Sequence, residues 1–152
     1  MHLRGLLASL LVGTTLAGCN LAPNSAGQIS ERIGQVANDP KSNELDLAKL
    51  TSFGWDRLFF FRAGTTRDAI CKFLNADRNT CSRVVRYESV PSEHTAILFA
   101  LGGQLTHIEL HALANGKFDV EPDPSGLPKS SCIFRVRRVA STGAVVAHLE
   151  PR

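Results

Sequence analysis

The sequence predicts an α+β domain, in which a mainly antiparallel meander sheet of about five to six strands packs against helices. The dipeptides Gly102-Gly103 and Asn115-Gly116 separate strand-like segments and are typical of tight hairpin turns. In segment 104–113 apolar or small side chains alternate with histidine and glutamate side chains, as is typical of a strand. Apolar residues recur at helical spacing over about 66–75, which predicts one main packed helix, and a shorter helix is expected near the N-terminus.

The first 18 residues have the layout of a secretory signal peptide. Arg4 gives the start a positive charge, the run that follows is uncharged and rich in leucine, and small residues stand at 17 and 18. The 14 residues from Gly5 to Gly18 are fewer than the roughly 17–25 that a spanning helix needs. We expect residues 1–18 to be cleaved.

Leu16-Ala17-Gly18-Cys19 resembles the lipobox of bacterial lipoproteins. The resemblance implies a thioether-linked diacylglycerol on Cys19, commonly with an acyl chain such as palmitate on its amine. Two or more acyl chains hold a protein firmly on a membrane. In that family an aspartate after the cysteine tends to retain the protein in the inner membrane. Asn20 stands there instead, so the resemblance favours the periplasmic face of the outer membrane.

The mature chain is expected to contain a tether, residues 19–27, and one domain, residues 28–152. Removal of residues 1–18 from the 152 leaves 134, enough for one domain with a real core. Those 134 residues carry 16 basic and 14 acidic side chains. A net charge of +2 is too small to indicate nucleic-acid binding.

The tether leads into an amphipathic helix. Ile29, Ile33, Val36 and Ala37 recur at helical spacing, and Asn38-Asp39-Pro40 ends the pattern. Such a helix either docks on its own domain or binds a partner. Segment 44–50 is expected to form a second, brief helix.

Trp55-Asp56-Arg57-Leu58-Phe59-Phe60-Phe61 predicts a strand covered on both faces, because its aromatic residues fall on both parities. The run resembles a W-D-(K/R)-hydrophobic-aromatic motif of uncharacterised envelope lipoproteins, over about Leu45 to Leu74. That resemblance implies a shared fold element and no activity. Arg62-Ala63-Gly64-Thr65 keeps the threonine of the turn that follows in the group and lacks its proline and tyrosine.

Asp56 has two interpretations: an acid in an unrecognised site, or an anchor for a turn and its backbone N–H groups. Thr65 is the candidate N-cap of the main helix, and Asn75 can close it. Residues 75–80 are expected to be a polar loop.

Three cysteines follow Cys19: Cys71, Cys81 and Cys132. In an oxidising compartment the simplest arrangement is one disulfide and one free thiol. Cys71 with Cys81 is the favoured pair because they lie close in sequence, although spacing alone does not fix connectivity. No C-x-x-C motif occurs, so neither a zinc knuckle nor a redox motif is indicated.

The remaining sequence is mostly strand-like. The proline-containing segment 121–131 is expected to be a loop. Strands are predicted at 84–87, 95–101, 104–113, 117–120, 132–139 and 144–149.

The predicted strand 104–113 places His107, Glu109 and His111 on one face. Alternate residues on a strand lie about 6.6 Å apart, so two histidines could bind one metal ion. His94 or His148 could supply a further ligand. A solvated polar face predicts the same alternation without a metal.

Arg135, Arg137 and Arg138 form the second candidate site, which Arg83 and Arg86 would extend if their strands are neighbours. Guanidinium groups suit carboxylates and phosphates, so an acidic protein or a lipid headgroup could bind there. A soluble surface balanced by Glu109 and Glu150 explains the same residues.

No standard catalytic motif or cofactor fingerprint is present. The sequence therefore favours a membrane-anchored, non-enzymatic lipoprotein that binds an envelope protein, in one version as an inhibitor or immunity protein using loop 121–131. The alternatives are a metal-dependent hydrolase acting through His107 and His111, and a purely structural envelope lipoprotein.

Overall fold

The computed structural model describes residues 27–141 and 144–152. Cys19 and the predicted signal peptide lie outside these residues. The described residues contain four α-helices: α1 (Gln28–Asn38), α2 (Leu47–Leu50), α3 (Arg67–Phe73) and α4 (Arg78–Val84). The strands are β1 (Glu44–Asp46), β2 (Arg57–Phe61), β3 (His94–Leu101), β4 (Gln104–Ala112), β5 (Lys117–Phe118), β6 (Leu127–Pro128), β7 (Ile133–Ser141) and β8 (Ala144–Pro151).

The strands form two sheets, and the α+β class is confirmed. The first sheet has the order β1-β7-β8-β5, and the second has the order β4-β3-β2-β6. Neighbours are antiparallel except β5 and β8, which are parallel. In the part of the chain that the structure describes, each sheet contains four strands, fewer than the about five to six predicted for a single meander.

The two sheets face each other across the larger hydrophobic core. The first sheet contributes Phe134 and Leu149, and the second contributes Leu58 and Phe99. Helix α1 buries Ile29, Ile33 and Ala37 in the same core, so it docks on its own domain. The remaining core side chains of this cluster are Leu45, Leu47, Trp55, Ile97, Cys132, Val136 and Ala147.

A smaller core lies between the other face of the second sheet and helices α3 and α4. Ile70 and Val85 pack there against Ala96 of β3 and Leu110 of β4. Cys71 and Cys81 lie within this core and form a disulfide with 5.6 Å between their Cα atoms, which confirms the predicted pair. Cys132 is free and buried.

The main predicted helix is confirmed at slightly shorter bounds, and Thr66 rather than Thr65 is its N-cap. The Thr66 hydroxyl accepts a hydrogen bond from the Ala69 N–H at 3.2 Å. Asn75 has a positive φ of 50° just after the helix, as expected of a residue that closes one.

Helix α4 corrects the expectation of a polar loop at 75–80 and a strand at 84–87. The Asp77 carboxylate accepts a hydrogen bond from the Asn79 N–H at 3.0 Å, which satisfies a donor at the start of the helix. Cys81 then falls on a helical turn from which it reaches Cys71. Segment 44–50 is also more complex than predicted, because strand β1 precedes the short helix α2.

The Gly102-Gly103 hairpin is confirmed, with both glycines at positive φ between β3 and β4. Asn115-Gly116 does not form the predicted hairpin, since strand β5 leaves β4 and pairs with β8 of the first sheet. Asn115 belongs to a 3₁₀ turn, and Gly116, at φ 123°, redirects the chain.

Candidate binding surface

Asp56 anchors a turn, as one of its two interpretations predicted. Its carboxylate accepts a hydrogen bond from the Gly102 N–H at 3.0 Å, at the β3–β4 hairpin. Its main-chain N–H donates to Ala100 at 2.8 Å, and its carbonyl accepts from Lys129 at 2.9 Å. Asp56 thus ties together the start of β2, the hairpin and the segment after β6.

The face of β4 that carries His107, Glu109 and His111 is directed toward α1 and the larger core. It is not the solvated face that the alternation also allowed, since His111 is fully buried and the Glu109 side chain is only 9% exposed. Glu109 accepts a hydrogen bond from the Ser30 N–H in the first turn of α1 at 2.7 Å. The N-cap residue, Gly27, has no side chain that could accept a hydrogen bond from the first turn. Glu109 of the neighbouring strand β4 therefore provides this acceptor.

His111 belongs to a saturated hydrogen-bond network around Ser30. Its Nε2 lies 2.6 Å from the Gly116 carbonyl oxygen, which can only accept, so Nε2 carries the proton. Its Nδ1 then accepts from the Ser30 hydroxyl at 3.0 Å. The Ser30 oxygen accepts from the Ala112 N–H and the Asn115 amide, both at 3.0 Å. Burial lowers the pKa of His111, which favours the neutral ring.

The other predicted metal ligands are dispersed. His107 Nε2 lies 2.9 Å from Glu109, and His148 Nδ1 lies 2.8 Å from Asp119 on the first sheet. In the ranges 27–141 and 144–152, no group of three or more His, Cys, Asp or Glu side chains is arranged to hold a metal ion. Both ring nitrogens of His111 already have protein partners.

The three arginines of β7 do not form one patch. Arg135 and Arg137 lie on the outer face of the first sheet, where Arg137 pairs with Glu150 at 2.5 Å. Arg138 lies on the opposite face and donates to the carbonyls of Ala37 at 2.9 Å and Ser42 at 2.7 Å. Arg138 therefore satisfies carbonyls at the end of α1 and is committed to the fold.

Arg83 and Arg86 do not extend this set either. Arg83 belongs to α4, and Arg86 follows it, on the side of the second sheet that carries the smaller core. The Arg86 side chain donates to the Arg83 carbonyl at 3.4 Å.

The predicted loop 121–131 divides into an exposed half and a fixed half. Residues 121–125 are exposed. Leu127 and Pro128 form β6, which pairs with Leu58 and Arg57 of β2. The exposed half is thus held at a defined position beside β2.

This exposed half forms one wall of an apolar depression that sequence reasoning missed, which we call the aromatic groove. Its walls are Phe59 and Phe61 of β2, Phe73 of α3, and Pro122 and Pro124 of the loop, and its volume is about 320 Å³. The Phe73 ring is 4.9 Å from the Phe59 ring and 5.2 Å from the Phe61 ring, with edge-to-face geometry in both pairs. Phe73 is nevertheless 39% exposed.

A second depression of about 480 Å³ adjoins the aromatic groove and shares Phe59 and Phe73 with it. Val84, 42% exposed, and Leu105 line its other side. The sequence feature that points to this surface is the run Phe59-Phe60-Phe61, which places aromatic side chains on both faces of β2. The sequence predicts that both faces are covered, whereas the face with Phe59 and Phe61 is partly open. Helix α3 is too short to cover the groove face completely.

The segment that carries both depressions is strongly basic. Residues 57–86 contain seven Arg or Lys and two Asp, a net charge of +5, although the whole chain has a net charge of only +3. Arg62 lines the aromatic groove and Arg57 lines the second depression. Basic side chains therefore predominate in this segment, and Asp123 of the loop also lines the aromatic groove.

Cys132 is not a candidate nucleophile. Burial raises the pKa of its thiol to about 12, and the Sγ atom donates to the Pro128 carbonyl at 3.4 Å. A thiol at such a pKa supplies almost no thiolate at neutral pH.

No protein family, no curated protein and no solved structure shows significant similarity to this chain. Among the helices within 27–141 and 144–152, none has the length and apolar character needed to cross a bilayer.

Proposed function

We propose that this chain is an envelope lipoprotein, anchored through Cys19, whose domain binds another envelope protein at the aromatic groove. The lipobox resemblance and Asn20 support placement on the periplasmic face of the outer membrane. The observation that carries the binding role is the partial exposure of Phe73 in a concave aromatic surface. Exposed aromatic residues in a depression are typical anchors of protein interfaces.

The groove is supported by rigid connections, which favours binding. The Cys71–Cys81 disulfide holds α3 against α4, and the pairing of β6 with β2 fixes the base of the loop. A preorganised surface loses less conformational entropy when a partner binds.

The proposal treats the protein as non-enzymatic and needs no cofactor. His111 has no free ring nitrogen, and the Cys132 thiol stays protonated at neutral pH. Neither side chain therefore offers the general base or the thiolate on which common hydrolase mechanisms depend.

Crosslinking and affinity capture from cells test the proposal, with the native chain compared with Phe73→Ser. We expect the substitution to reduce partner recovery at least tenfold, because it removes the central ring of the groove. Val145→Ser is the matched control: Val145 is 64% exposed on β8, away from the groove, and its replacement should leave recovery unchanged.

The Cys19→Ala variant separates anchoring from binding in the same experiment. We expect it to leave the membrane fraction and, as purified protein, still to capture the partner. Equal recovery by native chain, Phe73→Ser and Val145→Ser would contradict the role of the groove. Absence of any partner would leave a structural envelope lipoprotein as the better interpretation, and bound metal in purified protein, lost on His107→Ala/His111→Ala, would favour the hydrolase alternative.

A further inference from the structure

The side of β2 that faces the loop is only partly paired. Strand β6 covers Arg57 and Leu58, whereas β3 pairs with all of Arg57–Phe61 on the other side. The chain leaves this edge at Gly126, which has φ 72° and lies against the Phe59 ring. Within the described ranges no strand pairs with residues 59–61 on this edge.

The register shows which main-chain groups of β2 point toward this edge. Leu58 lies opposite Leu127, and the Lys129 N–H donates to the Asp56 carbonyl at 2.9 Å. In an antiparallel ladder, alternate residues direct both main-chain groups to the same side. Phe60 therefore directs its N–H and C=O toward the edge that β6 has left.

Charged side chains of both signs lie beside this edge: Arg62 at the end of β2, and Glu121 and Asp123 of the loop. Arg62 follows directly after β2 and lies 3.0 Å from the Glu121 carboxylate, with side chains 63% and 92% exposed. An ion pair this exposed contributes little to stability, so another carboxylate can readily replace Glu121 at Arg62. The surrounding segment, residues 57–86, has a net charge of +5.

We infer that the occupant of the aromatic groove is an extended, acidic peptide segment of the partner, which adds to the edge of β2 as a strand. Its main chain pairs with Phe60, alternate apolar side chains enter the groove between Phe59, Phe61 and Phe73, and a carboxylate replaces Glu121 at Arg62. This inference rests on the proposed function and specifies the partner's chemistry. Strand addition uses main-chain bonds for affinity and pockets for alternate side chains for specificity.

An anionic membrane surface also suits basic and apolar residues, but it fits this site less well. Lipid headgroups do not present the alternating donors and acceptors that match Phe60, and the groove is concave, with the proline wall on one side. A peptide satisfies both features.

The test uses the mature lipoprotein in phosphatidylcholine nanodiscs and the probe peptide acetyl-Glu-Glu-Val-Thr-Val-amide. We expect this probe to bind at least tenfold more tightly than acetyl-Lys-Lys-Val-Thr-Val-amide. Binding should slow hydrogen exchange of the Phe60 amide at least tenfold and leave that of the Leu58 amide, which already faces β6, unchanged. A probe with N-methyl threonine should not bind, and Arg62→Glu should weaken binding at least tenfold, whereas Arg135→Glu should not.

Equal binding of the acidic and basic probes, binding of the N-methyl probe, or no binding of any probe would overturn the inference. Protection of the groove by phosphatidylglycerol nanodiscs without peptide would overturn it in favour of a membrane occupant. If capture from cells depends on Phe73 and the probe results are negative, the strand mechanism fails while the proposed function stands. If capture is independent of Phe73, the proposed function itself fails.

Discussion

At the scale of single residues, Ser30 is the most connected polar group in the larger core. One hydroxyl joins α1 to β4 and to the turn that carries Asn115, using its one proton and both acceptor positions. The sequence predicted Ile29, Ile33 and Ala37 as the buried stripe of α1 and gave no sign of Ser30. Its partners lie about eighty residues away in the chain, so local periodicity cannot identify them.

Ser30→Ala is expected to destabilise the fold by about 1–3 kcal/mol, because it leaves buried partners without a hydrogen bond. Urea unfolding measures the free energy directly. Ser82→Ala is the matched control, since the Ser82 hydroxyl donates an exposed hydrogen bond to the Asn79 carbonyl. Its effect should stay within about 0.5 kcal/mol, and equal effects of the two substitutions would contradict the role given to Ser30.

His111 predicts a pH dependence of stability. Its pKa is lowered in the folded state chiefly by burial, which outweighs the raising effects of the Gly116 hydrogen bond and Glu109, and His94 lowers it slightly further. Below the ordinary value of 6.5 the unfolded chain therefore binds more protons, so stability falls as pH decreases from 6.5. The slope for one such group is at most about 1.4 kcal/mol per pH unit.

Urea unfolding at pH 7.5, 6.5 and 5.5 tests this dependence in native protein and His111→Asn. The native protein should lose more stability between pH 6.5 and 5.5 than the variant does. His107→Gln serves as a control for a half-exposed histidine, and a native slope indistinguishable from that of His111→Asn would count against the buried neutral ring.

At the scale of elements, α1 is closed at both ends by side chains from other elements. Glu109 satisfies the first turn, and Arg138 satisfies the carbonyls of the last. Neither partner is adjacent in sequence, so the sequence predicted Glu109 on a metal-binding or solvated face and Arg138 in a basic binding site. Hairpin Gly102-Gly103 could be predicted because its geometry is local, whereas the path after Asn115 depends on contacts with α1.

Arg138→Ala should cost about 1.5–3 kcal/mol of stability, because a charged donor to several partly buried carbonyls is lost. Arg135→Ala on the same strand is the comparison, as Arg135 is exposed and should contribute within about 0.5 kcal/mol. Chemical denaturation of both variants gives the two values. A loss on Arg135→Ala as large as that on Arg138→Ala would show that the charge of β7, and not the end of α1, is responsible.

At the scale of the whole molecule, two hydrophobic cores lie on opposite faces of the second sheet. The sequence predicted helices against a sheet, but it could not divide the strands between two sheets. Strand pairing between β5 and β8 or between β1 and β7 joins residues far apart in the chain, and alternation indicates only which residues share a face.

The smaller core should be the part that depends on the disulfide. Reduction, or Cys71→Ser/Cys81→Ser, should lower stability by about 2.5–3 kcal/mol by the loop-entropy relation. Amide exchange in α3 and α4 should increase more than in β7 and β8, as measured by hydrogen-exchange mass spectrometry. Equal increases in both regions would indicate that the two cores unfold as one unit.

The cap that Glu109 provides has a mechanical consequence if Cys19 is fixed in a membrane. Pulling force from the anchor would enter the domain at Gly27, whose N–H donates to the Leu110 carbonyl, and then at the Ser30 N–H held by Glu109. These hydrogen bonds can break one after another, so the force would detach α1 from the domain turn by turn before it acts on the sheets. The nine residues from Cys19 to Gly27 are joined by eight steps and span at most about 29 Å, so the connection between anchor and domain is short. Helix α1 would thus detach before the sheets are distorted. The aromatic groove lies on the far face of the second sheet and would keep its shape under this force.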